Sequence, residues 1–163
     1  MRFRAVSRRE RKVILRAGRE FGGDFEKVLQ DRVSVVSLGD RREVFITNKD
    51  TYEVLEKIKV NPYFLGLYLG EIRDKKFLLG LEGGSLLAPD STRKVAVDDA
   101  VEQLVLYGRD VFINSIREAY PGMKKGDRCL IVNRRGEFLA VGRVEGKIIK
   151  NLLDRGWYLR KGE

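Results

Sequence analysis

KKGDRCLIVNRRGEFLAVGRV, Lys124–Val144, carries the plainest structural message in the chain. Gly126-Asp127 makes a turn, and the apolar run Cys129–Val132 then reads as a strand buried on both sides. Asn133 to Gly136 is polar and ends in glycine, which suits a hairpin between strands Arg128–Val132 and Glu137–Val144. Arg128, Arg134, Arg135 and Arg143 crowd this module, Lys147 and Lys150 follow it, and the chain contains no histidine. A small basic β-module without imidazole suits a nucleic-acid reader better than an enzyme.

Working outward, the spacing predicts a short helix over Lys147–Asp154 and a last strand over Trp157–Arg160. Upstream, Val101–Leu106 reads as a strand and Gly108 as a turn. Arg109–Ala119 reads as a helix burying Val111, Phe112 and Ile116, and Tyr120–Asp127 as a loop. The stretch from Gly83 to about Asp99 holds Gly83-Gly84, Pro89, the polar run DSTRK and a short strand Lys94–Val97. It is the expected junction between two domains, 1–97 and 98–163, and GLEGG (Gly80–Gly84) is expected to be a turn.

In the first half, Ser7 with Glu10 three residues later forms a capping-box pattern for a helix to about Gly22. Val13, Ile14, Ala17 and Phe21 give that helix an apolar stripe. Arg32–Leu38 and Glu43–Thr47 read as a hairpin, and Asp50–Val60 as a helix capped by Asp50, with Tyr52, Val54, Leu55 and Ile58 as its stripe. Asn61-Pro62 ends it. Tyr63–Arg73 and Lys76–Leu81 flank the two-residue turn Asp74-Lys75. Strands and helices without a regular βαβ rhythm predict an α+β class with a mainly antiparallel sheet.

The net charge is +9 over 163 residues, and it is uneven. Residues 1–22 hold eight basic and two acidic residues, residues 124–163 hold eleven and five, and the middle holds fourteen and seventeen. Clustered cations attract polyanions, because each neutralised phosphate releases counterions. A surface rich in ion pairs of the thermophile kind is the bland alternative. The single Cys129 excludes an intrachain disulfide and a cysteine-based zinc cluster, and reads as a buried thiol. No apolar run reaches the roughly 18 residues of a membrane span, and the charged N-terminus lacks the apolar core of a signal peptide. The chain is expected to be soluble and cytoplasmic.

LYGRDVF (Leu106–Phe112), KKGDRCLIV, GEFLAVGRV and the closing KIIKNLLDRGWYLRK resemble, in that order, the PUA domain, a small RNA-binding pseudobarrel. NPYFLGLYLGEI (Asn61–Ile72), SLLAPDSTRKVAV and EQLVLYGRDVF extend the resemblance over essentially the whole chain to the archaeal and eukaryotic Nip-seven family of ribosome-biogenesis proteins. That resemblance implies an N-terminal α/β, or pre-PUA, domain with a mainly antiparallel sheet, followed by a PUA β-pseudobarrel. It also implies RNA binding in large-subunit ribosomal RNA maturation, ribosome-assembly proteins as partners, and no catalysis. Lys147 and Lys150 match two of the family's basic positions. The sequence departs from the pattern at Gly146 and Leu153, where basic residues are common, so Arg143 and Arg155 are expected to share the RNA contact.

Further candidates follow from the residues themselves. Lys147 and Lys150, at i,i+3 on the expected helix, would share one face and suit a phosphate backbone. Gly108-Arg109-Asp110, at the expected helix start, would offer exposed amides to phosphate, or else be a tight turn. Arg134-Arg135 could reach RNA from the hairpin or serve only solubility. Trp157 and Tyr158 could stack on bases, although a closing strand is expected to bury at least one of them. The arginine face of the first helix suits RNA, a protein partner or the other domain, and the residues leave these open. No catalytic, cofactor, metal or small-molecule constellation is legible. Two other roles stay open: an accessory delivering transfer RNA to a modification enzyme, similar to the tails of archaeal transglycosylases, and a protein-binding adaptor.

Overall fold

The computed structural model describes residues 2–58 and 60–161. Strand β1 (Phe3–Ala5) leads into helix α1 (Arg8–Glu20), and α2 (Phe25–Leu29) precedes the hairpin β2 (Val33–Ser37) and β3 (Arg42–Thr47). Helix α3 (Lys49–Lys57) is followed by a second hairpin, β4 (Leu67–Arg73) and β5 (Lys76–Leu79). These strands make one sheet in sequence order, antiparallel at every pairing. Asp74 and Lys75 take φ of 50° and 61°, the left-handed pair that a two-residue hairpin demands.

Ser7 starts α1 as its sequence predicts. The Ser7 hydroxyl accepts from the Glu10 amide at 3.3 Å, and the Ser7 amide donates to the Glu10 carboxylate at 2.8 Å. Glu10 lies on the buried face with Ile14 and Ala17, and the Arg4 guanidinium meets both its oxygens at 2.8 Å. That bidentate pair, helped by the Ser7 amide, outweighs burial and pulls the Glu10 carboxyl down to about 2. Helix α3 is capped by Asn48, whose side chain accepts from the Thr51 amide at 2.7 Å, rather than by Asp50. Its expected stripe is only partly covered: Tyr52 and Leu55 pack on the sheet, whereas Val54 and Ile58 stay exposed.

The second half comprises α4 (Leu81–Leu87), β6 (Lys94–Val97), α5 (Asp99–Leu106), β7 (Val111–Phe112), β8 (Ile116–Glu118), β9 (Arg128–Asn133), β10 (Phe138–Glu145), β11 (Ile148–Asp154) and the single turn α6 (Trp157–Arg160). Its sheet runs β7-β11-β10-β9-β6-β8, with only β6 and β9 parallel. The edge strands β7 and β8 are joined by one 3₁₀ turn, Ile113–Ser115. Six flat strands would separate those edges by about 24 Å, whereas four peptide steps reach at most about 14 Å. The sheet must therefore curl until its edges nearly meet, as a pseudobarrel.

Four expected elements differ from the structure. Val101–Leu106 is helical, as part of α5, with Val105 buried and Leu104 exposed. The expected helix over Arg109–Ala119 is instead β7, the 3₁₀ turn and β8, with Val111 buried and Phe112 exposed in strand alternation. The expected helix over Lys147–Asp154 is a turn residue, Lys147, followed by strand β11, with Ile149 inside and Lys150 outside. Trp157–Arg160 is a helical turn, and neither Trp157 nor Tyr158 is buried, so the expected aromatic of a closing strand is absent there.

Gly83-Gly84 is no polar link and no turn. It lies inside α4, where any side chain would collide with the Leu69 carbonyl on one side and the Phe138 ring on the other. The glycines let α4 fit tightly between the two sheets. One core accordingly joins α1, α2, α4 and the first sheet to Leu130, Phe138 and Val141 on the outer face of the barrel. A second fills the barrel with Val95, Cys129, Ile131, Val144 and Ile149. Strand β9 contributes to both, as its unbroken apolar run predicts. Lys94–Val97, read in sequence as the end of the first domain, pairs with β8 and β9.

Candidate nucleic-acid interface

Strand register builds the site. Arg128 on β9 stands opposite Arg143 on β10, and Arg143 stands opposite Lys150 on β11. Directly paired residues share a face, so these three side chains form a row across the outside of the barrel. Along β9 and β10 the same face continues into Leu130 and Val141, which are covered by the first half of the chain. The row begins where that cover ends.

Like charges directly opposite one another destabilise a sheet, and among the described residues two acids answer them. The Arg143 Nε donates to Glu145 at 2.8 Å, and the Lys150 ammonium lies 3.6 Å from Asp110. Lys147 follows Gly146 in the β10–β11 turn, with its side chain exposed and without an acidic partner among the described residues. Its carbonyl accepts from the Ile113 amide at 2.9 Å, which fixes the turn against the β7 edge. Arg128, Arg143, Lys147 and Lys150 thus face Asp110 and Glu145, four charges against two.

An aromatic ring stands beside them. Phe112 pairs with Ile148 across β7 and β11 and is 64% exposed. A large apolar ring left in water next to surplus cations can stack on an unpaired base while the cations hold phosphates. Arg109, exposed, precedes Asp110 at the same edge. The neighbouring turn is held from within: buried Asp127 accepts from the Tyr120 hydroxyl at 2.9 Å and the Lys124 amide at 3.1 Å. Burial opposes its ionisation, but these donors and Arg93 outweigh it and hold the carboxyl below its usual range.

The other candidates lie elsewhere. Arg134 and Arg135 sit at the opposite end of β9 and β10, just past Asn133, which is about 17 Å from Arg128 along the strand. Each is paired, Arg134 with Asp99 at 3.3 Å and Arg135 with Glu137 at 3.1 Å. Arg155, past the end of β11, reaches the Ser85 hydroxyl of α4 at 3.4 Å. Gly108 does not start a helix; it ends one. Its φ is +81°, its amide donates to Val105, and the Arg109 amide donates to Leu104, closing a Schellman motif. Those amides are occupied, and a helix C-terminus is the wrong end for an anion. Lys147 lies in a turn and Lys150 on the strand that follows, so helical i,i+3 spacing does not relate them.

Sequence reasoning counted Arg128 among the cations of the module without placing it in the contact, and it missed Phe112. Arg128 joins the row through register alone, and Phe112 was hidden by assigning its segment to a helix. Cys129 is fully buried, and burial pushes its thiol up to about 12, so it is no nucleophile. Among the described residues no group of His, Cys, Asp or Glu is arranged to hold a metal ion. No helix there is long and apolar enough to cross a membrane.

Known proteins agree with this architecture. Residues 3–81 match the pre-PUA domain of the NIP7/UPF0113 family, and residues 93–163 match the UPF0113 PUA domain. A UPF0113 protein of Archaeoglobus fulgidus is 34% identical, over 98% of this chain and 95% of its own length. Another from Aeropyrum pernix is 31% identical over 76% of this chain and 72% of its own length. In structure, a conserved PUA domain protein from Thermoplasma acidophilum superposes with a TM-score of 0.65 over 99% of both chains, at 18% identity. A PUA domain protein from Aeropyrum pernix gives 0.60 over 98% of this chain and 91% of that one, at 14% identity. The chain belongs to the UPF0113 family.

Proposed function

We propose, taking membership of the UPF0113 family as the premise, that this protein is a non-catalytic RNA-binding factor that holds its ligand on the outer face of the barrel. Arg128, Arg143, Lys147 and Lys150 grip phosphates, and Phe112 stacks on one unpaired base. The observation that carries this reading is the cross-strand row of like charges beside an exposed ring. Such a row costs stability in isolation, and a polyanion relieves it. The Glu145 and Asp110 pairs are half-exposed, are worth little in water, and yield readily to phosphate.

The finer reading is that the ligand is a ribosomal RNA precursor, bound in single-stranded or loop regions during large-subunit assembly. The NIP7/UPF0113 match of the first half supports this. In this reading the PUA part, from the change of sheet near residues 93–98 onward, binds RNA. The pre-PUA part meets assembly proteins. The role is positioning in the cytoplasm, without chemistry on a small molecule.

Ultraviolet crosslinking of the full chain in an archaeal host, followed by sequencing, tests the reading. Recovery of ribosomal RNA precursors, reduced by Lys147→Ala with Lys150→Ala, is expected. Transfer RNA in their place would identify an accessory of RNA modification, and background recovery would overturn RNA binding altogether.

A further inference from the structure

The amino-terminal helix carries a second charged surface that the barrel face does not explain. At about 100° per residue, Arg8, Lys12, Arg16 and Arg19 fall within a narrow arc, with Arg9 at its margin. The buried face, marked by Glu10, Ile14 and Ala17, lies diametrically opposite. All five cations are exposed. Their one acidic neighbour is Glu20, 3.9 Å from the Arg16 Nε, and Arg8, Arg9, Lys12 and Arg19 have none among the described residues. The acids close to α1 are engaged elsewhere: Glu10 with Arg4, and Glu26 with Arg11 at 2.7 Å.

This arrangement works against the helix that bears it. Arg8 with Lys12, and Lys12 with Arg16, are like charges at i,i+4 and repel. Arg8 and Arg9 also sit in the first turn, where the helix dipole favours acids. Alanine at these positions would make a better helix. A row of matched, regularly spaced cations about 16 Å long complements a polyanion with a repeating charge, which is the character of a nucleic-acid backbone.

The helix also ends at the barrel row. The Arg93 guanidinium donates to the Glu20 carbonyl at 2.9 Å and lies 3.8 Å from Asp127, the residue before Arg128. The Thr92 amide donates to the Gly22 carbonyl at 2.9 Å. The last turn of α1 is therefore tied to the start of β9 through Arg93, by a hydrogen bond on one side and an ion pair on the other. We infer that α1 is a second RNA-backbone contact, and that one RNA strand long enough to leave the barrel face continues along Arg19, Arg16, Lys12 and Arg8. This rests on the barrel face being the first contact.

Fluorescence anisotropy with oligouridylates of two lengths, roughly 6 and roughly 24 nucleotides, brackets the span that a small β-barrel covers. The full chain is compared with a variant carrying Arg8→Ala, Lys12→Ala, Arg16→Ala and Arg19→Ala. The long RNA is expected to lose about tenfold in affinity and the short RNA less than twofold, with the melting temperature unchanged or raised. An Arg8→Lys, Arg16→Lys, Arg19→Lys variant keeps the charge and is expected to bind the long RNA as the wild type does. If the short RNA binds but the long RNA is indifferent to the alanine variant, α1 is not a contact. Loss of affinity in the lysine variant as well would also overturn a backbone-charge role. If neither length binds the wild type, the barrel reading itself fails. Polyglutamate is expected to displace long RNA much less well than unlabelled long RNA does; polyglutamate binding as tight as RNA, and lost in the alanine variant, would make α1 a surface for acidic protein instead.

Discussion

The two ends of the β9–β10 ladder carry similar arginines and opposite electrostatics. At the hairpin end Arg134 and Arg135 each have an acid, Asp99 and Glu137, so the charge closes to zero. At the other end Arg128 and Arg143 are aligned with Lys150 and near Lys147, and two acids serve four cations. In a composition table an arginine at one end counts the same as an arginine at the other. Only one of them has charge left over for a ligand. Counting basic residues therefore finds a basic protein, whereas pairing finds its interface.

A third case calibrates the contrast. The Arg4–Glu10 pair is matched like the hairpin end, but Glu10 is buried. The Glu10 carboxyl is lowered to about 2, chiefly by its bond to Arg4, from an ordinary value near 4.5. Its contribution is then fully present above about pH 5 and drains away as pH falls toward 2. Glu10→Gln should lower stability by at most about 3 kcal/mol at neutral pH, and the gap to wild type should close over that acid window in urea melts at stepped pH. A constant gap would show that the pair is no more than a surface contact.

Affinity separates the two ends next. Arg128→Glu with Arg143→Glu should weaken RNA binding about tenfold or more, while Arg134→Glu with Arg135→Glu should change it less than twofold, in filter-binding titrations at low salt. Equal losses would mean that pairing does not locate the interface. Phe112→Ala should cost about 1 kcal/mol, the low end for a base stacked on an aromatic side chain, without loss of melting temperature. Smallest are the stability effects. Arg128→Thr relieves repulsion across the strands and should raise stability by about 0.5 kcal/mol, and Arg134→Ala should shift it by less than about 0.5 kcal/mol, since that pair is exposed on both sides.

Much of the architecture was legible where the signal is local. The capping box at Ser7, the Asp74-Lys75 hairpin and the doubly buried run at Cys129 are each decided by neighbours in sequence. Several short segments of the second half were not. Val101–Leu106 and Ile148–Asp154 are both short apolar runs that fit either period, and only the closing of the barrel makes the first a helix and the second a strand. Closure is also what turns Val111–Glu118 into two edge strands around a 3₁₀ turn. The site suffered in the same way: Lys147 and Lys150 could be named from the resemblance, but the register that brings Arg128 to them is a long-range fact. The acids that silence Arg134 and Arg135 come partly from α5, 35 residues earlier in the case of Asp99.

The salt dependence of RNA affinity tests the central claim most directly. For single-stranded RNA each phosphate contact contributes about 0.7 to the slope of log K against log salt. Lys147→Ala with Lys150→Ala should therefore flatten the slope by about 1.4, and Arg134→Ala with Arg135→Ala should leave it as in the wild type. Equal slopes in all three proteins would contradict the account.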